Sequence, residues 1–158
     1  MGIQVFIKTM VKISDYLDRN LIVFLNVETR DEALHALVNM AYEAGKLEDK
    51  SAFFNAIIER EKIVSTGIGM GVAIPHAKLS SYDNFFIALG IIRKGLDWNS
   101  LDSAPVRVIF MIGGPDDKQT EYLQILSSLT QSIKDEQIRK KLLTMNSASD
   151  IIELFQTI

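Results

Sequence analysis

Apolar residues along this chain follow two periods, and the change from one to the other lays out the elements. Residues 21–25, 85–92 and 106–112 are apolar runs without polar alternation, the pattern of strands covered on both faces. Residues 72–74 are a shorter run that reads as the end of a buried strand. Elsewhere the spacing is helical. Thr29 and Glu32 form a capping box, in which the hydroxyl takes an N3 amide and the carboxylate returns to the cap. Leu34, Leu37, Val38 and Ala41 then make the inward stripe of a helix that Gly45 ends. Asp49 predicts the N-cap of a second helix over about 50–62, with Phe53, Phe54, Ile57 and Ile58 as its buried arc. A wheel drawn on that arc points Glu61 inward rather than Arg60. A third helix over about 118–133 buries Tyr122, Leu126, Leu129 and Ile133. Asp135 caps a short helix to about Leu143. Ser147 or Ser149 opens a final one with Ile151, Ile152, Leu154 and Phe155 inward. Residues 12–18 predict a short helix or turn, and residues 95–100, 102–105 and 113–117 carry turn chemistry.

Interior strands interleaved with helices predict an α/β fold: a three-layer α/β/α sandwich with a small mixed, mostly parallel sheet flanked by helices. The length, 158 residues, suits one domain with a sizeable core. No composition shift, repeat or linker divides it.

In such sheets functional groups gather at strand ends, and one stretch there draws the eye. Residues 65–78 read Ser-Thr-Gly-Ile-Gly-Met-Gly-Val-Ala-Ile-Pro-His-Ala-Lys. Three glycines in alternate positions give a backbone that can approach a ligand closely. Pro75 fixes its own φ and holds Ile74 extended. His76 follows, beside the small Ala77, as an imidazole at a strand's edge with little bulk around it. A lone histidine after a strand is ordinarily a packed residue, and glycine-rich turns are common, so these features alone do not make a site. The stretch is neither a dinucleotide fingerprint nor a P-loop. The other histidine, His35, lies in a polar helical stripe with Asp31 and Asn39, which predicts a solvated face and no chemical role. Arg60 sits in a Glu-Arg-Glu run at a helix end, where a cation complements the dipole, and periodicity does not select it.

Composition acts mainly by exclusion. The net charge of −3 gives no basic field for nucleic acid or an anionic membrane surface. The absence of cysteine excludes a disulfide frame, thiolate-bound zinc and a thiol nucleophile, and fits the cytoplasm. With two distant histidines and no HExxH or calcium-loop pattern, no metal is expected, and no cofactor is called for. No apolar run has the length of a membrane span. Residues 1–10 are apolar but lack a basic leader and a cleavage site, so no signal peptide is expected. A histidine hydrolase is disfavoured by the lack of a GxSxG elbow or an obvious triad.

Taken together and in order, Glu59-Arg60-Glu61, Ser65-Thr66-Gly67, Ala73-Ile74-Pro75-His76, the Gly-x-Asp-Trp turn at 95–98 and Asp-Ser-Ala-Pro-Val at 102–106 resemble the EIIA domain of the bacterial sugar phosphotransferase system. The subtype is the fructose/mannitol and nitrogen-regulatory one. The resemblance runs over about 15–155, nearly the whole chain, as a single such domain. It implies a histidine-phosphorylated phosphocarrier. A phosphohistidine on an HPr-like protein would give its phosphoryl group to His76, which passes it to an EIIB partner or uses it as a signal to a regulated protein. Arg60, sixteen positions earlier, matches the arginine that holds the phosphoryl group.

The residue types suit that chemistry. Neutral imidazole is a good nucleophile near neutrality. One ring nitrogen attacks while the other needs an acceptor to hold the tautomer, and the sequence does not name that acceptor. An arginine fork supplies two donors to phosphate oxygens. The Thr66 hydroxyl and amides of the glycine stretch could supply more. The chain departs from the family at the position forty-six residues after His76, where sugar-flux members usually have a second histidine and this chain has Tyr122. A phenol donates one hydrogen bond but carries no positive charge. A nitrogen-regulatory binding module with little phosphoryl flux is therefore carried beside the relay role. The sugar and the oligomeric state are not legible.

Overall fold

The computed structural model describes residues 11–158. The segment 1–10, expected not to be a signal peptide, lies outside the described residues. Two 3₁₀ turns, Ile13–Tyr16 and Arg19–Leu21, lead into β1 (Ile22–Phe24). Helices α1 (Arg30–Glu43) and α2 (Lys50–Ile63) follow. Then come β2 (Gly67–Gly69), β3 (Val72–Ala73), β4 (His76–Leu79), β5 (Phe86–Leu96) and β6 (Val106–Pro115). Helices α3 (Gln119–Lys134), α4 (Glu136–Thr144) and α5 (Ala148–Thr157) close the chain. The capping residues do what their side chains allow: Thr29 accepts from the Glu32 amide at 3.1 Å, Asp49 from Ala52 at 2.9 Å, and Ser147 from Asp150 at 3.2 Å. Glu32 takes the Thr29 hydroxyl proton at 3.1 Å, so that half of the expected capping box is made side chain to side chain.

The strands form one mixed sheet in the order β1-β5-β6-β3-β2, with β4 also on β6, beyond β3 along the same edge. Three of its five pairings are parallel and two antiparallel. β5 and β6 explain their unalternating apolar runs by being covered on both faces. Ile87, Leu89, Ile91, Val108, Phe110 and Ile112 face a core made with α3, α4 and α5. Phe86, Ala88, Ile92, Ile109 and Met111 face a second core made with α1 and α2. The expected three layers are present.

Three details differ from the sequence expectation. Residues 21–25 are not covered on both faces: Ile22 is buried but Phe24 is 37% exposed, with the Arg93 guanidinium 5.4 Å over its ring. The turn expected at 113–117 begins later, because β6 runs on through Gly113 and Gly114. A Cβ on Gly113 would fall 2.4 Å from Phe86 Cζ, and one on Gly114 2.2 Å from Phe85 Cδ1, so these glycines make room for rings rather than for a turn. Gly95, expected in a turn, lies within β5 at φ +81°, where the β5/β6 register shifts. The run 72–74 does end a buried strand, since β3 stops at Ala73; what the run did not show is that β4 resumes beyond Pro75 along the same partner, with His76 opposite Ile112.

Candidate functional site

His76 opens the edge strand β4, between the C-terminal end of α2 and the first turn of α3. Alternation in β4 sends Ala77 into the α1/α2 core, while His76 and Lys78 meet Tyr122 of α3 on the other face. The His76 and Tyr122 rings lie tilted at 49° with centroids 5.7 Å apart. Tyr122 is 6% exposed and backed by the Phe85 ring at 6.1 Å, so it forms a fixed wall.

The partner that the sequence could not name is the backbone carbonyl of Ile74, 3.0 Å from His76 Nδ1. A carbonyl can only accept, so the neutral ring carries its proton on Nδ1 and leaves the lone pair of Nε2 free. Pro75 has a part in this: it interrupts the strand, and the Ile74 carbonyl turns back to the ring two residues on. Burial is the main influence on the imidazole and pushes its pKa below the ordinary histidine value. The Ile74 hydrogen bond opposes that shift, as does the charge of Glu61, while the positive charges of Arg60 and Lys78 add to it. The ring is therefore held towards its neutral form and is half-buried.

Arg60 lies on the last full turn of α2, where its Nη1 donates to the Val64 carbonyl at 2.8 Å and so covers one of the helix's free carbonyls. Its charge acts on both His76 and Tyr122. Burial raises the Tyr122 phenol above its ordinary pKa, and Arg60 opposes that rise. The structure thus sets His76 against Tyr122, with Arg60 close enough for its charge to act on both.

Thr66 is placed differently. It is 3% exposed, its hydroxyl donates to Glu61 Oε1 in a close contact, and its amide donates to Glu61 Oε2 at 3.2 Å. Trp98 Nε1 lies 3.2 Å from both Glu61 Oε1 and Thr66 Oγ1. The helical wheel had pointed Glu61 inward, and the structure shows why a carboxylate is tolerated there: three donors converge on it. The Thr66 hydroxyl proton is committed to that carboxylate and not to the space beside His76.

The glycine stretch has contacts of its own with the chain. β2 and β3 form a hairpin whose turn holds Met70 at φ 60° and Gly71 at φ +75°. The Met70 amide donates to Asp102 Oδ2 at 3.0 Å, the Gly67 amide to Ser65 Oγ at 3.0 Å, and a Cβ on Gly67 would meet Ser100 Oγ at 2.3 Å. The close approach that the glycines permit is to the 100–102 loop. His35 is exposed as expected and stacks on Phe54, centroids 3.9 Å apart, far from this chemistry in role. Two contributors to the site escaped the sequence reading. One is the Ile74 carbonyl, for which a residue-type search has no signal. The other is Lys78, which period-two alternation from His76 could have found. Among the described residues no group of three or more His, Asp or Glu side chains is placed to hold a metal ion.

A neutral imidazole whose Nε2 has a free lone pair, under the positive charges of Arg60 and Lys78, is suited to meet an anionic electrophile. The comparisons show the family. The family model for the phosphoenolpyruvate-dependent sugar phosphotransferase system, EIIA 2, matches residues 15–158, and the chain belongs to that family. It is 39% identical over 146 residues to the fructose-specific EIIABC component of Bacillus subtilis, covering 91% of this chain and 23% of that protein. It is 35% identical over 123 residues to the fructose-specific EIIA component of Haloferax volcanii, covering 78% of this chain and 80% of that one. Among solved structures, the nitrogen regulatory protein IIA-Ntr of Neisseria meningitidis superimposes with a TM-score of 0.85 at 27% identity, covering 90% of this chain and 98% of that one. The chain thus spans about a quarter of the multicomponent Bacillus relative and most of the shorter ones.

Proposed function

We propose that the chain is a phosphocarrier in which Nε2 of His76 accepts a phosphoryl group from an HPr-like phosphohistidine protein and hands it to an EIIB partner. The observation that carries this is the hydrogen bond from His76 Nδ1 to the Ile74 carbonyl, which holds the tautomer with Nε2 as nucleophile. The Nε2 lone pair forms the new N–P bond. The donor's P–N bond breaks, and its electron pair returns to the donor imidazole. The proton on Nδ1 stays against the Ile74 carbonyl, and with a phosphohistidine as donor the step balances without a nucleotide or metal. Phosphoryl transfer asks chiefly for in-line positioning and charge neutralisation, and Arg60 supplies the second. Residues 1–158 act as one EIIA unit in the cytoplasm; no helix among the described residues is long and apolar enough to cross a membrane. Thr66 helps by fixing the loop before β2 through Glu61. Tyr122 helps as a wall for the imidazole. An EIIB partner is supported by the Bacillus relative, whose name joins A, B and C components in one protein.

Incubation with phosphoenolpyruvate, enzyme I and HPr, followed by intact-mass measurement, tests this. One phosphoryl mass is expected on the wild type and none on His76→Ala. Label retained by His76→Ala would overturn the assignment.

A second reading, a regulatory module whose partners depend on the state of His76, draws on the match to IIA-Ntr. Capture experiments with phosphorylated and unphosphorylated protein test it, and identical partner sets in both states would refute a switch.

A further inference from the structure

The phosphocarrier role leaves a charge problem that the site resolves in an unexpected place. A phosphoryl group brings about −1.5 to −2 charges near neutral pH. Tyr122, which walls the imidazole, carries no positive charge to balance that negative charge. Yet the Tyr122 ring is not alone: the Lys78 ammonium sits over its face, 4.2 Å from the centroid.

We propose that Lys78, held over the Tyr122 ring beside His76, is the second cationic group of this site and contacts the phosphoryl group while His76 carries it, a role that rests on the phosphocarrier assignment above. The placement follows from the strand. His76 and Lys78 are two apart in β4 and project from the same face, about 6.6 Å apart along the strand. Both lie against one aromatic wall, the imidazole at 5.7 Å between centroids and the ammonium at 4.2 Å, so the two groups can be no farther apart than those separations combined. The wall is buried and cannot swing away. Lys78 is also tethered, donating to Gln119 Oε1 at 2.8 Å in the first turn of α3. Gln119 is neutral and that bond is exposed, so exchanging it for a phosphoryl oxygen costs little and gains a charge-assisted bond. A cation resting on an aromatic face pays less to be ordered than one free in solvent. The charge of Lys78 already reaches the imidazole and helps lower its proton affinity. No bond to Lys78 forms or breaks in the transfer; it contributes charge and hydrogen bonds only.

Tyr122 then has a definite purpose: its ring is the shelf that holds the lysine beside His76.

The experiment is single-turnover phosphoryl transfer from a phosphorylated HPr-like donor to wild type, Lys78→Met, Lys78→Arg and His76→Ala, followed by rapid quench and mass measurement. NMR titration of the His76 ring accompanies it. Lys78→Met should accept the group roughly tenfold to a hundredfold more slowly, a tenfold loss corresponding to about 1.4 kcal/mol. Lys78→Arg, which keeps the charge, should stay within about threefold. The His76 ring should titrate higher in Lys78→Met, with Arg60, Glu61 and Tyr122 still in place, and this shift would not arise from a purely structural loss. A Lys78→Met protein labelled as fast as wild type overturns the inference and leaves the carrier role standing. So does a Lys78→Arg protein as slow as Lys78→Met. A wild type that takes no label overturns both.

Discussion

Replacing Thr66 by valine separates two roles that a threonine beside this motif could have. If its hydroxyl served the phosphoryl group, the variant would fold normally and transfer slowly. The structure leads to the opposite expectation. Valine keeps the shape and removes the hydroxyl that donates to the buried Glu61 carboxylate, which is itself 4% exposed. Glu61 keeps the Thr66 amide and Trp98 Nε1, each at 3.2 Å, so it is weakened but not orphaned. A hydrogen bond to a charged group contributes about 1.5–3 kcal/mol. Trp98 Nε1 also loses Thr66 Oγ1 as an acceptor while keeping Glu61, which adds little. The expected loss is therefore about 2–3 kcal/mol. For a chain of this length that is a fall in Tm of about 4–12 °C, at roughly 2–4 °C per kcal/mol. Thermal unfolding followed by far-UV circular dichroism reads it, and urea unfolding checks that the slope with denaturant is unchanged. Thr66→Ser, which restores the hydroxyl, should recover most of the loss. The rate of phosphoryl acceptance below the transition should stay within about threefold of wild type. A Tm within a degree of wild type combined with a tenfold slower acceptance would refute the structural role and return Thr66 to the phosphoryl group.

Two further outcomes follow from the site. Arg60→Ala should slow phosphoryl acceptance by roughly a hundredfold, the usual effect of removing one donor aimed at developing charge. Its stability should drop by only about 0.5–1.5 kcal/mol through the lost bond to the Val64 carbonyl; acceptance at the wild-type rate would remove Arg60 from the site. The pH profile is set by His76, whose pKa burial pushes below the ordinary value. Because only the neutral ring has a free Nε2, acceptance should be flat from pH 8 to about 6.5 and fall only below that. The sign for stability is the same: a depressed folded-state pKa contributes stability that is complete above the unfolded value, about 6.5, and is lost as pH falls towards the folded one. Acceptance that already declines between pH 8 and 7 would contradict a depressed pKa.

The chain's own pattern determined a good deal. Unalternating apolar runs at 85–92 and 106–112 implied strands covered on both faces, because a strand with a polar face cannot be buried twice. Capping chemistry at Thr29, Asp49 and Asp135 located helix starts, because those side chains satisfy amides within the first turn, while the choice of Ser147 over Ser149 came from the structure. The roles expected of His76 and Arg60 came only from the family resemblance that the order of short motifs carries. Tertiary structure decided what local pattern cannot express. Gly113 and Gly114 stay in β6 because Phe85 and Phe86 need their space, and those contacts span almost thirty residues of chain. The glycines at 67–71 serve the 100–102 loop, and the Thr66 hydroxyl serves Glu61 and Trp98. The tautomer of His76 depends on a backbone carbonyl, which every residue has and no residue type announces. The second charge is Lys78, made relevant by a helix arriving from 119 to set Tyr122 against β4. Periodicity reports which face of an element is buried; only packing reports what that face, or a spare polar group on its edge, comes to rest against.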